Sequence, residues 1–326
     1  MVGLIVGAIG VGVIFLYGCV GEILTEKAGH LNLGIPGIMC LGAAGGAFGV
    51  DIYMNSLANV NEASWLALIL IAILFASVFG AFGGAIYGFL TVSLRSNQNI
   101  TGLALTTFGA GFAQFFMNTY VNGIHFAAAS RIIKKALPFA KDLGWFGEIV
   151  FGHGILVYLG ILIAILVAIF LKKSKVGLNL RAIGENPATA DAAGINVNAY
   201  KYGAILIGSA IAGLGGMFYL MDYIGGSWSE ATTIESYGWL AIALVIFTLW
   251  KPNISIIGAI LFGALYISPY VLPSLIPGII EGPDLQLLKI VPYIVTLIVL
   301  IVTSILDSKE NQPPASLGVN YFREDR

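Results

Sequence analysis

The chain alternates between long apolar stretches and short polar breaks from one end to the other. Apolar runs fall at about 2–20, 31–50, 65–94, 99–121, 154–171, 202–221, 238–250, 254–271 and 290–306. Most have the roughly 17–25 residues that an α-helix needs to cross a hydrocarbon core of about 30 Å. No water reaches that depth, so backbone groups must bond within the segment or around a closed barrel. The runs are continuous and do not alternate, which favours helices over barrel strands. The pattern predicts an all-α, polytopic transmembrane domain of about nine helices, within a range of about eight to ten. The run at 238–250 is short for a full crossing, and 65–94 is long enough to tilt or to bend near its glycines.

Composition strengthens this reading. Of the 326 residues, 58% are hydrophobic and 10% charged. Soluble domains carry about 25% charged and about 45–50% apolar residues, so the gap exceeds what one anchor helix explains. The formal net charge of −1 gives no sign of a nucleic-acid partner. Cys19 and Cys40 lie in apolar runs without metal-ligand spacing and read as small buried residues. Residues 2–20 have no basic region before them and no small-residue cleavage site after them, so they read as a retained span.

Charge then orients the chain. Lys172, Lys173, Lys175, Arg181 and Lys201 cluster in 172–201, which places that segment in the cytoplasm. Alternation leaves 307–326, with Lys309, Arg323 and Arg326, on the same side and the N-terminus outside. The expected organisation is one membrane domain over 1–306, containing a cytoplasmic segment at about 177–200, and a cytoplasmic tail over 307–326. Pro313, Pro314 and the mixed charges predict poor order in that tail. The outer loop 122–153 holds Arg131, Lys134, Lys135 and Lys141, and is expected to carry an amphipathic helix on the outer membrane face or on a partner. The stripes Gly80–Gly84–Gly88 and Gly208–Ala212–Gly216 predict close helix approach, within one subunit or between two.

Two segments depart from the apolar pattern. The stretch 21–39 carries Glu22, Glu26, Lys27, His30 and Asn32, and is interrupted by Gly29, Gly34, Pro36 and Gly37. A proline between glycines before an apolar run marks a helix start. The stretch is therefore either irregular backbone bordering a transport pathway or a cytoplasmic connector before an ordinary helix. The second segment is 176–197. Asn186 suits an N-cap, Pro187 the first helical position and Gly194 the position just past the end. A helix of about two turns cannot stand alone in water. With Ala188, Ala190, Ala192 and Ala193 as its small exposed side, it is expected to dock on something.

Certain chemistries are missing. The sequence has no G-x-x-x-x-G-K-[S/T], no H-E-x-x-H and no C-x-x-C, and His30, His125 and His153 are scattered. The chain is expected to bear no catalytic site, no metal and no nucleotide cofactor of its own. An ion-coupled secondary transporter would need an embedded carboxylate or histidine. After residue 64 the spans show none at mid-membrane, because Asp222, Glu230 and Glu235 fall at the predicted outer end.

Four segments carry a resemblance. They are Gly29-His-Leu-Asn-Leu-Gly-Ile-Pro-Gly-Ile-Met39, Asn99-Ile-Thr-Gly-Leu-Ala-Leu105, Gly177-Leu-Asn-Leu-Arg-Ala-Ile-Gly-Glu-Asn-Pro187 with Ala192-Ala-Gly-Ile-Asn-Val197, and Gly238-Trp-Leu-Ala-Ile-Ala-Leu-Val-Ile-Phe247. In this order they resemble the inner-membrane permeases of ABC importers for branched-chain amino acids, simple sugars and nucleosides. The first motif and the short N-terminus are most similar to the nucleoside branch, which works with basic membrane lipoproteins, and to the shorter permease of its pair. One departure is Pro36, where the family commonly has Glu.

The resemblance implies a coupling helix at about Asn186–Ala193 that docks on an ATPase subunit, with Arg181, Glu185, Asn186, Pro187, Asp191 and Gly194 as its working residues. It implies ATP and Mg on that ATPase, a second and different permease, a soluble or lipid-anchored extracytoplasmic substrate-binding protein, and residence in the bacterial cytoplasmic membrane. Asn32, Asn97 and Asn99 are the expected pathway residues, since a neutral polar substrate suits amides. Helix capping is the competing role for Asn97 and Asn99. Import of a sugar or an amino acid is the nearest alternative in the family, and an ion-coupled transporter the alternative outside it.

Overall fold

The computed structural model describes residues 2–134, 138–275, 287–306 and 312–322. Lys135, Lys309, Arg323 and Arg326, which entered the charge argument, lie outside the described residues. Thirteen α-helices, α1–α13, carry the fold among them. These are α1 Val2–Glu26, α2 Ile35–Asn55, α3 Trp65–Gly88, α4 Gln98–Tyr120, α5 Gly123–Ile133, α6 Gly144–Phe151 and α7 Ile155–Lys173. Then come α8 Lys175–Glu185, α9 Pro187–Ala192, α10 Val197–Phe218, α11 Ala231–Phe247, α12 Pro252–Leu275 and α13 Val291–Leu306. Seven are long and apolar enough to cross a bilayer: α1 to α4, α7, α10 and α12. The shorter α11 and α13 occupy the other two predicted runs. The expectation of about nine membrane helices agrees with this set.

The helices form an inner group and an outer group. Helices α1, α2 and α10 are buried over most of their length, and α11 packs against α1 and α2. Helix α3 packs on α2 and α10 with one face, α4 lies on α2, and α12 lies on α1. The outer helices keep Leu70, Leu74, Phe115, Leu166 and Ile257 exposed, as a lipid-facing surface requires.

Small residues set the close crossings. A Cβ at Gly80 would stand 2.5 Å from the Ser209 carbonyl oxygen, and one at Gly88 would stand 3.1 Å from the Tyr202 ring. A Cβ at Gly213 would come within 2.7 Å of the Ala76 carbonyl oxygen. Gly208 faces Gly21 and Gly216 faces Met39. Both predicted stripes therefore pack inside this chain. Lipid offers no hydrophobic drive for helices to associate, so such backbone contact supplies the attraction.

Several local expectations change. Helix α1 runs on to Glu26, beyond the predicted end at 20, because Glu22 and Glu26 are buried against protein and not lipid. Helix α2 starts at Ile35 with Pro36 in its first turn, as the Gly-Pro-Gly pattern indicated. Helix α5 lies in the loop 122–153, and buries Phe126, Ala129, Ser130 and Ile133 against the chain's own bundle. The tail expected to be poorly ordered is docked over 312–322, through contacts described below. Cys19 and Cys40 are buried free thiols.

Candidate functional site at the connector and the α8–α9 elbow

All four sequence motifs converge on the link between α1 and α2. A Cβ on Gly102 of α4 would sit 2.8 Å from the Leu33 nitrogen, and one on Gly37 would sit 2.6 Å from Thr106 Cα. A Cβ on Gly238 of α11 would stand 2.8 Å from Pro36 Cβ. A Cβ on Gly29 would stand 3.5 Å from Gly184 Cα at the end of α8. Helices that approach this closely admit only glycine at the contact.

Within this crowd the link 27–34 is irregular, and side chains satisfy its backbone. Gln98 Oε1 accepts from the Leu31 N–H at 2.8 Å, and the Tyr87 hydroxyl donates to the Leu31 carbonyl at 2.6 Å. Thr106 donates to the Leu33 carbonyl at 2.9 Å. Glu22 Oε1 accepts from the Asn32 N–H at 2.8 Å, and Asn32 Oδ1 accepts from the Gly34 N–H at 2.9 Å. The Trp250 indole N–H donates to Glu26. The stretch is thus irregular backbone covered by protein, the arrangement lipid demands. Glu22 Oε2, Asn32 Nδ2 and both ring nitrogens of His30 are buried with no hydrogen-bond partner among the described residues. Burial, and then the charge of Lys201, hold the His30 imidazole well below its usual range, so it is neutral.

The expected pathway residues separate. Asn32 is fully buried in the link. Asn97 is exposed and caps α4, accepting from the Ile100 N–H at 3.0 Å. Asn99 is exposed in the first turn of α4. The amide that enters the link from α4 is Gln98, which lies between them and is 2% exposed. Helical phase explains the miss, because adjacent positions point about 100° apart. Pro36 is buried beneath Gly238, so in this subunit its position is a helix contact.

The expected coupling residues lie together on one elbow. Ser174 caps α8, accepting from the Gly177 N–H at 2.9 Å. Asn186 ends α8 and caps α9, accepting from the Thr189 N–H at 3.0 Å, with Pro187 in the first turn. Gly194 adopts φ +82, and the Ile195 N–H donates back to the Ala190 carbonyl at 3.1 Å. Arg181 and Glu185 are exposed, while Asp191 and Pro187 are half-buried. One detail differs from expectation: Ala190 points inward onto Ile183 and Val197, leaving Ala192 and Ala193 exposed. Helix α8 itself was not expected, although its buried positions Gly177, Leu180, Ile183 and Gly184 recur at helical spacing. Lys27 faces the elbow. Burial pushes its amine below the usual range, and the Glu185 carboxylate opposes that shift.

Residues 312–322 lie across this face as a strap. The Ser316 N–H donates to the Gly184 carbonyl at 3.0 Å, and the Gly318 N–H to the Gly29 carbonyl at 3.2 Å. The Tyr321 hydroxyl donates to Asp191 Oδ2 at 2.8 Å. Asn320 Nδ2 donates to the Arg95 carbonyl at 2.7 Å and to the Ser96 carbonyl at 3.2 Å. Gln98 Nε2 donates to Asn320 Oδ1 at 3.2 Å, and the Arg95 guanidinium lies 4.7 Å from the Phe322 ring centre. Nothing in the sequence signalled the strap, because its partners, most of them backbone carbonyls, are distant along the chain.

The sequence is similar to permeases of ABC transporters over most or nearly all of its length. NupC of Lactococcus lactis, a nucleoside ABC transporter permease, is 31% identical over 94% of this chain and 93% of its own. NupQ of Bacillus subtilis, a guanosine ABC transporter permease, is 29% identical over 94% of this chain and 92% of its own. TsgC13 of Haloferax volcanii, provisionally named a glucose ABC transporter permease, is 32% identical over 81% of this chain and 75% of its own. The family profile described as branched-chain amino acid transport system / permease component matches residues 4–301. The chain is a multi-pass protein of the cytoplasmic membrane and belongs to that permease family of ABC importers.

Proposed function

We propose that this chain forms half of the translocation pathway of a nucleoside importer and takes its driving force from ATPase subunits docked on α9. The observation that carries the substrate class is end-to-end similarity to NupC and NupQ, both named for nucleosides. The capped, two-turn α9, held at an elbow outside the helix bundle, supports the docking role. Arg181, Glu185, Asn186, Pro187, Asp191 and Gly194 form the docking surface. Asn32, with Gln98 beside it, borders the pathway on the side where α9 lies. ATP and Mg bind the partner ATPase. A second permease completes the pathway, and the similarity to NupB as well as NupC of one organism supports a pair of unlike chains. A substrate-binding lipoprotein delivers the solute at the opposite face.

The sugar reading rests on TsgC13, whose identity is as high but whose coverage is lower. Reconstitution of this chain with its cognate permease, ATPase and binding protein separates the two. Guanosine is expected to stimulate ATP hydrolysis and to accumulate in the vesicles, and glucose is not. Stimulation by glucose alone would replace the nucleoside reading. Uptake by this chain alone on an ion gradient would remove the ATPase from the mechanism.

A further inference from the structure

The strap joins two parts of the molecule that also meet directly, where Gly184 packs on the 27–29 turn and where Leu180 shares an apolar cavity with Leu24. Its first half holds the elbow. Ser316 is bonded to Gly184, the Ala315 N–H donates to Glu185 Oε2 at 3.4 Å, and Pro314 is buried against Gly184. Its second half holds the inner ends of α1 to α4, with Gly318 on Gly29 and Asn320 on Arg95, Ser96 and Gln98. Tyr321 then reaches back to Asp191 of α9. The strap has no regular secondary structure; Pro314 is buried and Tyr321 packs on Ile183, Ala190 and Val197, while Val319 is 58% exposed. Directional hydrogen bonds hold it, and such bonds transmit position better than they supply stability.

Gln98 doubles the linkage. One end of its amide accepts from Leu31 in the link, and the other donates to Asn320 in the strap. Asp191, Tyr321, Asn320, Gln98 and Leu31 therefore form a continuous polar chain from α9 to the buried connector. A small cavity of about 10 Å³ beside it is lined by His30, Lys201, Arg95, Asn320 and Tyr321 among others, so the strap also closes the inner end of the site.

We propose that residues 312–322 are a tie that carries displacement of α9 to the α1–α2 connector, with Ser316, Asn320 and Tyr321 as positioning residues. The proposal rests on the reading of α9 as the ATPase-docking element. A push on α9 moves Asp191 and Gly184 together, and the strap delivers that motion to Leu31 through Gln98 and to Gly29 through Gly318. Without the tie, Gly184 still packs on the 27–29 turn, but the bonded route from α9 through Asn320 and Gln98 to Leu31 is lost.

The test uses the complete transporter in proteoliposomes, with whichever of guanosine or glucose the uptake assay identifies. The measured quantity is solute transported per ATP hydrolysed. Tyr321→Phe combined with Asn320→Ala is expected to keep the complex assembled and lower that ratio about threefold to tenfold. A parallel fall of hydrolysis and transport at an unchanged ratio would mark the strap as a structural brace and overturn the proposal. Should the double variant fail to assemble, Tyr321→Phe alone, which removes one hydroxyl, decides by the same ratio. Glu185→Ala with Asn186→Ala tests the underlying reading separately, by ATPase co-purification. If that pair leaves ATPase binding and transport intact, the docking reading fails. If it abolishes ATPase binding while the strap variants keep the ratio, the tie alone fails.

Discussion

Helices α3 and α10 cross antiparallel at Gly80 and Gly213, and they finish alike at opposite ends of the molecule. Each tightens into a π-helical turn, Phe89–Ser93 after α3 and Tyr219–Tyr223 after α10. The Leu94 N–H donates to the Phe89 carbonyl and the Ile224 N–H to that of Tyr219, at 3.1 and 3.0 Å. Both chains then turn through left-handed backbone, at Arg95 in one and at Gly225 and Gly226 in the other. What holds each end differs. Gly226 is packed hard on α5, where a Cβ would stand 2.6 Å from Ser130 Oγ. The Arg95 end is held by the amide of Asn320 and the ring of Phe322. One end is fixed by shape, the other by bonds that can be exchanged. Turns of the π type recur at functional sites, and the exchangeable one lies beside the elbow.

The largest effect is expected where both helices share a contact. Gly213→Val forces a branched side chain into the α2–α3–α10 crossing, at a cost of about 3 kcal/mol or more. The detergent melting temperature should fall sharply and the folded yield with it; a melt like that of the native protein would refute the crossing. Next comes the turn at Gly225 and Gly226. Gly226→Ala places a Cβ in left-handed backbone, costing about 1–2 kcal/mol before the clash with α5 is added. Arg95→Gly relieves the same backbone cost at the turn after α3 but loses the contact with Phe322, so the melt should shift by under about 1 kcal/mol. Equal losses in the two variants would erase the distinction between the ends.

A smaller effect follows from His30. Its folded pKa lies below the ordinary value of 6.5, so its native form is neutral. The unfolded chain binds a proton there first, and the His30 contribution is present above pH 6.5 and lost as pH falls below it. Melting temperatures between pH 8 and pH 5.5 should decline less in His30→Gln than in the native protein. The smallest effects are the helix caps. Asn186→Ala and Asn97→Ala should each cost about 1 kcal/mol, visible as faster amide exchange at Thr189 and Ile100. Protection unchanged at either amide would deny that cap.

Much of this molecule could be read from its residues. Continuous apolar runs located the spans because lipid leaves the backbone no alternative. Asn186, Pro187 and Gly194 located α9 because caps are local chemistry. Burial was harder to read. Glu22 and Glu26 look like the end of a span, yet they extend α1 because protein and not lipid surrounds them. Gln98 was hidden between two asparagines, and only the tertiary position of Leu31 selects it. The strap was illegible for the same reason: Ser316, Gly318 and Asn320 bond to carbonyls, which every residue possesses.

The strap also has a consequence in time. During translation the α8–α9 elbow leaves the ribosome more than a hundred residues before Ser316 and Asn320. A nascent chain can insert its membrane helices and expose a folded elbow while Gly29, Arg95 and Gln98 still wait for their partners. Docking of 312–322 is therefore a late event in biogenesis, and it marks a chain whose synthesis has run past its last described membrane helix.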